Sequence, residues 1–145
     1  MKRITKILIC TLCILLCLSS CTLFDKAKNE AKKVVEFSQD FAQLVKDPSV
    51  EEAEDLLHPS SPLTPESVVN EIKNNEKIKS LNISKDSQIT IGEVTDVTLQ
   101  RNDPELGGMV YGAECSVIVD GQTIVISLTM LSTSEGMGIY DFDIK

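Results

Sequence analysis

The patterning of apolar residues predicts an α+β domain, with three N-terminal helices packed on a four-stranded antiparallel meander behind a signal peptide. Three observations predict it. Up to Ile72, apolar residues recur at three- and four-residue steps; from Leu81 the period changes to two; and Asp120-Gly121 separates two long apolar-alternating runs. Helices first and strands afterwards place the helices on one face of the sheet.

The first helix rests on Val34, Phe37, Phe41, Leu44 and Val45, with Glu36, Gln39, Asp40 and Gln43 between them. That is one apolar stripe on an otherwise polar helix. Upstream, Asp25 to Lys33 reads as a polar tether merging into the helix, because Ala27 and Ala31 continue its spacing. The helix should stop near Lys46, since Pro48 disfavours helix in the residue before it. Ser49-Val50-Glu51-Glu52 fits a capping box for a second helix with Val50, Ala53, Leu56 and Leu57 inward. His58-Pro59 ends it. Thr64-Pro65-Glu66 opens a third helix, with Thr64 as N-cap and Val68, Val69 and Ile72 inward. Asn74-Asn75 marks its end.

Ile89 to Leu99 reads as the first strand, with a bulge or bend at Gly92 to Val94. Asn102 to Gly108 is a long turn. Met109 to Val119 and Gln122 to Ser132 then form a hairpin around Asp120-Gly121, a pair that favours a type I′ turn. Residues pair when their numbers sum to 241, which puts Tyr111, Ala113, Cys115, Val117, Ile124, Ile126, Leu128 and Met130 on one face. Ile139 to Ile144 is the last strand, with Tyr140, Phe142 and Ile144 alternating with Asp141 and Asp143.

Ahead of this domain, Lys2, Arg3 and Lys6 precede an unbroken apolar run from Ile7 to Leu18. The run is about a dozen residues, roughly 18 Å as a helix, whereas a bilayer core needs about twenty. It reads as an export signal over residues 1–20. Leu18-Ser19-Ser20-Cys21 resembles a lipobox, which implies cleavage between Ser20 and Cys21 and diacylglycerol and acyl lipid such as palmitate on the Cys21 thiol. The expected location is the extracytoplasmic face of the cell membrane, held by this lipid anchor. The expected organisation is signal at 1–20, lipidated Cys and tether at 21–33, and one domain at 34–145.

Composition narrows the function. The signal holds three of the 14 basic residues and none of the 22 acids, leaving 11 basic against 22 acidic, a net charge of −11. That excess argues against nucleic acid as a partner. Cys115 is the one cysteine left after lipidation, so no internal disulfide is expected, and it reads as a buried core thiol. His58, the single histidine, reads as a cap on the last carbonyls of the second helix. A hydrolase needs a base beside its nucleophile, and a structural zinc site needs about four Cys or His ligands; neither set is available. Asn102, Asp103 and Glu105 offer calcium some oxygens, without EF-hand spacing, and read as a solvated turn. Glu93 shares the parity of Ile89, Ile91, Val97 and Leu99, yet a bulge at Gly92 would turn it into water.

The long first helix, Leu56-Leu57-His58-Pro59, and a meander closing on Ile139-Tyr140-Asp141-Phe142-Asp143-Ile144 resemble the nuclear-transport-factor-2-like fold, within the cystatin-like superfold, and small secreted lipoproteins of that type. The resemblance covers roughly residues 33–145. It implies a curved, cone-like sheet around the first helix, with a mouth that holds a ligand pocket in many members. Gln88-Ile89-Thr90-Ile91-Gly92 is faintly similar to the cystatin inhibitory loop, but Thr90 stands where Val is usual. The expected function is a non-catalytic binding or interaction domain for a small apolar ligand or an envelope protein. Its pocket would be lined by Phe37, Phe41, Tyr111 and Ala113, and it would hold no metal and no cofactor beyond the lipid. The alternatives are a small isomerase or dehydratase with an acid inside the cone, and a structural or regulatory envelope lipoprotein.

Overall fold

The computed structural model describes residues 28–83 and 87–145. Ser20, Cys21 and all of residues 1–20, expected to be an export signal, lie outside them. The chain divides into two compact units, Met1–Lys32 and Lys33–Lys145. Of the first, residues 28–32 are described and are helical.

The second unit is an α+β domain. Helix α1 covers residues 33–46. It is followed by α2 (Val50–Leu56), α3 (Pro65–Asn74) and α4 (Glu76–Ser80). Five strands come next among the described residues: β1 (Ile89–Ile91), β2 (Thr95–Asp103), β3 (Gly108–Val119), β4 (Gln122–Thr133) and β5 (Gly136–Ile144). All pair antiparallel.

Local chemistry accounts for the helix ends. Ser49 caps α2 by accepting from the Glu52 amide at 3.2 Å. Thr64 caps α3, and its box partner is Ser67, whose hydroxyl accepts from the Thr64 amide while Thr64 Oγ1 accepts from the Ser67 amide. The third helix ends at Asn74, and a fourth follows it where three helices were expected. Asn75 leaves helical geometry with ψ 124° and recaps α4, its Oδ1 accepting from the Lys77 and Ile78 amides.

The hairpin β3–β4 has the anticipated register at every pair, from Met109 opposite Ser132 to Val119 opposite Gln122. Asp120 and Gly121 both take positive φ, 48° and 85°, as a type I′ turn requires. The rest of the sheet corrects the four-stranded meander. Ile89 to Leu99 is broken over residues 92–94, and both halves pair with β3: β1 beside Val117–Val119, β2 beside Gly108–Glu114. The spatial order is therefore β1-β3-β4-β5, with β2 also against β3. The last strand starts earlier than expected, at Gly136, because the β4–β5 turn needs only residues 134–135.

Because side chains alternate across a strand, one sheet face takes Ala113, Cys115, Val117, Ile124, Ile126, Leu128 and Met130, all buried. These join Val34, Phe41, Leu44 and Val45 of α1, Leu56 of α2 and Val68 and Ile72 of α3 in a single core cluster. Phe41 meets Phe142 of β5 with ring centroids 4.9 Å apart and planes tilted by 53°. The opposite face, with Glu114, Ser116, Ser127 and Thr129, is partly open to solvent. The sheet is covered by helices on one side and is open on the other.

The outer edge of β5 is closed by the helical layer. Leu57 forms a parallel bridge to Ile139, and the His58 amide donates to the Ile139 carbonyl at 2.9 Å. Farther along, the Ser61 hydroxyl donates to the Tyr140 carbonyl at 2.8 Å. Gly138 permits the crossing, since a Cβ there would lie 2.6 Å from the His58 nitrogen. Blocking an edge in this way removes a template for strand addition.

Candidate functional site

The His58 corner and the open face of the sheet both gather polar side chains. His58 is 2% exposed. Its Nδ1 accepts from the Ser60 amide at 3.0 Å, which assigns the proton to Nε2, and Nε2–H donates to Thr133 Oγ1 at 3.1 Å. Thr133 Oγ1 also accepts from the Glu135 amide. Both ring nitrogens are thus used to tie the α2–α3 connection to the β4–β5 turn. The expected role as a cap on the carbonyls of α2 is corrected: the helix ends on the Leu57 amide donating to the Ala53 carbonyl, and the imidazole faces the sheet. A buried His with both ring nitrogens engaged, and with Nε2–H donating to the Thr133 hydroxyl rather than accepting from it, is a brace.

Cys115 is 1% exposed in the core, and burial pushes its thiol up to about 11. The thiolate that nucleophilic chemistry needs is therefore suppressed at neutral pH. Ser38, the other buried polar side chain among the described residues, donates to the Val34 carbonyl one turn back. No carboxylate is buried there. Glu93 is exposed in the break between β1 and β2. Asp103 Oδ1 accepts from the Glu105 and Leu106 amides, so it shapes its own turn. Among the described residues, no group of three or more His, Cys, Asp or Glu could hold a metal ion.

The residues expected to line a pocket do come together, but in packed surroundings. Phe41, Tyr111 and Ala113 are buried members of the core cluster, and Phe37 is half-buried against it. Of these four, only Ala113 borders a depression described here. One, between α1 and α2, is lined by Asp40, Gln43, Glu52, Asp55 and Leu56. Another lies on the open sheet face, has a volume of about 300 Å³, and is lined by Asp96, Thr98, Gly112, Glu114, Ser127 and Thr129, with Ala113 and Leu128 contributing to its floor.

Strand register builds this second depression. Thr98, Gly112, Thr129 and Asp141 form one row across β2, β3, β4 and β5; Thr95, Glu114, Ser127 and Asp143 form the next. Gly112 has no side chain, so a dip opens between Thr98 and Thr129. Glu114 Oε1 accepts from Lys145 Nζ at 2.5 Å and from the Ser127 hydroxyl at 2.9 Å. These bonds, Lys145 first, hold the Glu114 carboxyl below the usual carboxylate range, and the charge of Lys145 adds to them. In turn the bond to Glu114 raises Lys145 above the ordinary lysine value against the opposing effect of desolvation, with the charges of Glu114, Asp143 and Asp96 contributing. The Lys145 amide is fixed by the Val125 carbonyl at 2.8 Å. This hydroxyl- and carboxylate-lined surface was not singled out by sequence reasoning. The signal available for it was the polar alternate parity of the hairpin, Gly112, Glu114, Ser127 and Thr129.

Comparison of the chain with protein-family models, with curated proteins and with solved structures finds no match.

Proposed function

We propose that this chain is a lipoprotein precursor whose domain, residues 34–145, is held by acyl lipid on Cys21 at the extracytoplasmic face of the cell membrane and acts there by binding rather than by catalysis. The observation that carries the location is Leu18-Ser19-Ser20-Cys21 standing where the apolar run ends. The binding reading is supported by how the polar groups are spent. His58 is a brace, Cys115 is buried, and the open sheet face carries a depression lined by hydroxyls and carboxylates. The working surface in this reading is that face, not a chamber behind Phe37, Phe41, Tyr111 and Ala113. The likeness to nuclear-transport-factor-2-like domains belongs to the same proposal, supported by helices preceding an antiparallel sheet. An isomerase or dehydratase of that type would need an acid among the inward residues, where the described core carries apolar side chains, Ser38 and His58. The packed interior favours a second reading, a structural or regulatory envelope lipoprotein with no small ligand.

The experiment is metabolic labelling with a palmitate analogue, combined with protease treatment of intact protoplasts. Wild type should label, Cys21→Ala should not, and the domain should be cut from outside. Labelling that persists in Cys21→Ala, or a domain protected until the cells are lysed, would overturn the proposal.

A further inference from the structure

We infer that the His58 corner is an acid-released latch: the neutral imidazole holds the α2–α3 connection against the edge of β5, and protonation of the ring frees it. The latch is independent of the reading of the open sheet face.

The connection meets the sheet at three points. The His58 amide donates to the Ile139 carbonyl at 2.9 Å, the Ser61 hydroxyl donates to the Tyr140 carbonyl at 2.8 Å, and Nε2–H donates to Thr133 Oγ1 at 3.1 Å. One short turn aims them. Nδ1 accepts from the Ser60 amide at 3.0 Å, and the His58 carbonyl accepts from the Ser61 amide at 2.8 Å. The ring therefore folds the segment that points Ser61 at β5.

This arrangement accepts only the neutral ring. Imidazolium carries N–H on both nitrogens, so a proton on Nδ1 would face the Ser60 N–H. Turning the ring over gives no relief, because either nitrogen would then present a donor to that amide. The surroundings offer the charge nothing either. His58 is 2% exposed, and among the described residues no carboxylate is buried. Asp55 and Glu66, on either side of the connection, are exposed, as are Glu135 in the β4–β5 turn and Asp141 of β5, while Tyr140 is half-buried. The start of β3 lies beside Thr133, and the turn before it carries half-buried Asp103 and exposed Glu105. None of these side chains is bonded to the ring, whose partners are Ser60 and Thr133. A buried cation without a partner is costly. A fold that needs a buried histidine neutral weakens as pH falls, and imidazole is the side chain that changes charge between about pH 5 and 8.

Opening is local in this geometry. It frees the Ile139 and Tyr140 carbonyls on the outer edge of β5, whereas the β3–β4 ladder and its turn make no bond to the connection short of Thr133. An exposed edge of this kind is a template for an added strand.

The test follows amide hydrogen exchange in the full chain in detergent micelles between about pH 7.5 and 5.5, the span in which imidazole changes charge. That span lies above the range of the Glu114 carboxyl, which is held below 4.5. After correction for the intrinsic pH dependence of exchange, protection of the amides of residues 57–61 should fall about tenfold or more toward acid, as expected for one unsatisfied buried hydrogen bond. Amides of the β3–β4 hairpin should keep theirs. His58→Asn retains an acceptor for the Ser60 amide and cannot take up a proton, so its protection there should not change with pH. His58 is the single histidine, so nitrogen NMR of histidine-labelled wild type reads the ring directly and should show the proton on Nε2 at neutral pH. A neutral ring protonated on Nδ1, protection of residues 57–61 unchanged in acid, an equal loss throughout the hairpin, or the same acid loss in His58→Asn would each overturn the inference. If His58→Asn does not fold, the NMR and the wild-type exchange decide it.

Discussion

Truncating Phe41 to alanine probes the contact on which the two layers of the domain depend. Phe41 is 1% exposed, sits on the inward stripe of α1, and tilts against Phe142 of β5 at 4.9 Å. Removing a fully buried ring costs its transfer free energy and leaves a cavity that other buried core residues such as Leu44, Met130 and Ile139 can only partly fill; the sum for Phe→Ala is about 3–5 kcal/mol. Of this, about 0.5–1.5 kcal/mol belongs to the aromatic pair beyond its area. A domain of this size is stable by about 5–15 kcal/mol in total, so the variant loses a large share of it. The midpoint temperature should fall by about 4 °C for each kcal/mol, or about 12–20 °C. The chain has no Trp, so urea and thermal unfolding are best monitored by far-ultraviolet circular dichroism. Phe37→Ala is the control, since Phe37 is half-buried and should cost clearly less. In a double-mutant cycle with Phe142→Ala, the coupling should be positive and near the aromatic-pair figure. A loss below about 1 kcal/mol for Phe41→Ala, or one no larger than that of Phe37→Ala, would mean that the helix does not clasp the sheet as described.

Three other expectations rest on single contacts. Gly138→Ala puts a methyl 2.6 Å from the backbone nitrogen of His58, where no flexible side chain can yield, so unfolding should show a loss of about 1–3 kcal/mol and exchange of the His58 amide should accelerate. The Cys115 thiol, pushed up to about 11 by burial, should resist iodoacetamide at pH 8 in the folded protein and react at once in denaturant; rapid native labelling, read by peptide mass, would contradict its place in the core. The Glu114 carboxyl should titrate below its usual 4.5 by carbon NMR, because it accepts from Lys145 and Ser127. Its folded value being the lower one, the pair's contribution is complete above 4.5 and fades as pH falls through the folded midpoint, so wild type and Glu114→Gln should converge in stability in acid. An unshifted midpoint, or a gap between them that persists in acid, would remove the pair.

The β3–β4 hairpin was legible in the sequence because its turn and its apolar alternation are local and independent, and both specify one register. The helix stripes were legible for the same reason: Val34 to Val45 and Val68 to Ile72 repeat at helical steps, and Ser49 and Thr64 cap α2 and α3 from the residue just before each. The candidate site was legible only as the polar parity of the hairpin. That Thr98 and Asp141 share a row with Gly112 and Thr129 depends on how β2 and β5 dock, with a register shift in each pairing.

The sequence by itself determined features set by neighbours along the chain: the faces and starts of α2 and α3, the hairpin, and the buried parity that carries Cys115. The tertiary structure alone decided which strands become partners. A period of two states which face a residue takes but not who lies beside it, so β1 and β2 sharing one edge of β3 had no local signature. The same holds for His58. Its place at a helix end suggested a cap, while the close approach allowed by Gly138 and the hydroxyl of Thr133, 75 residues away in sequence, made it a brace between layers.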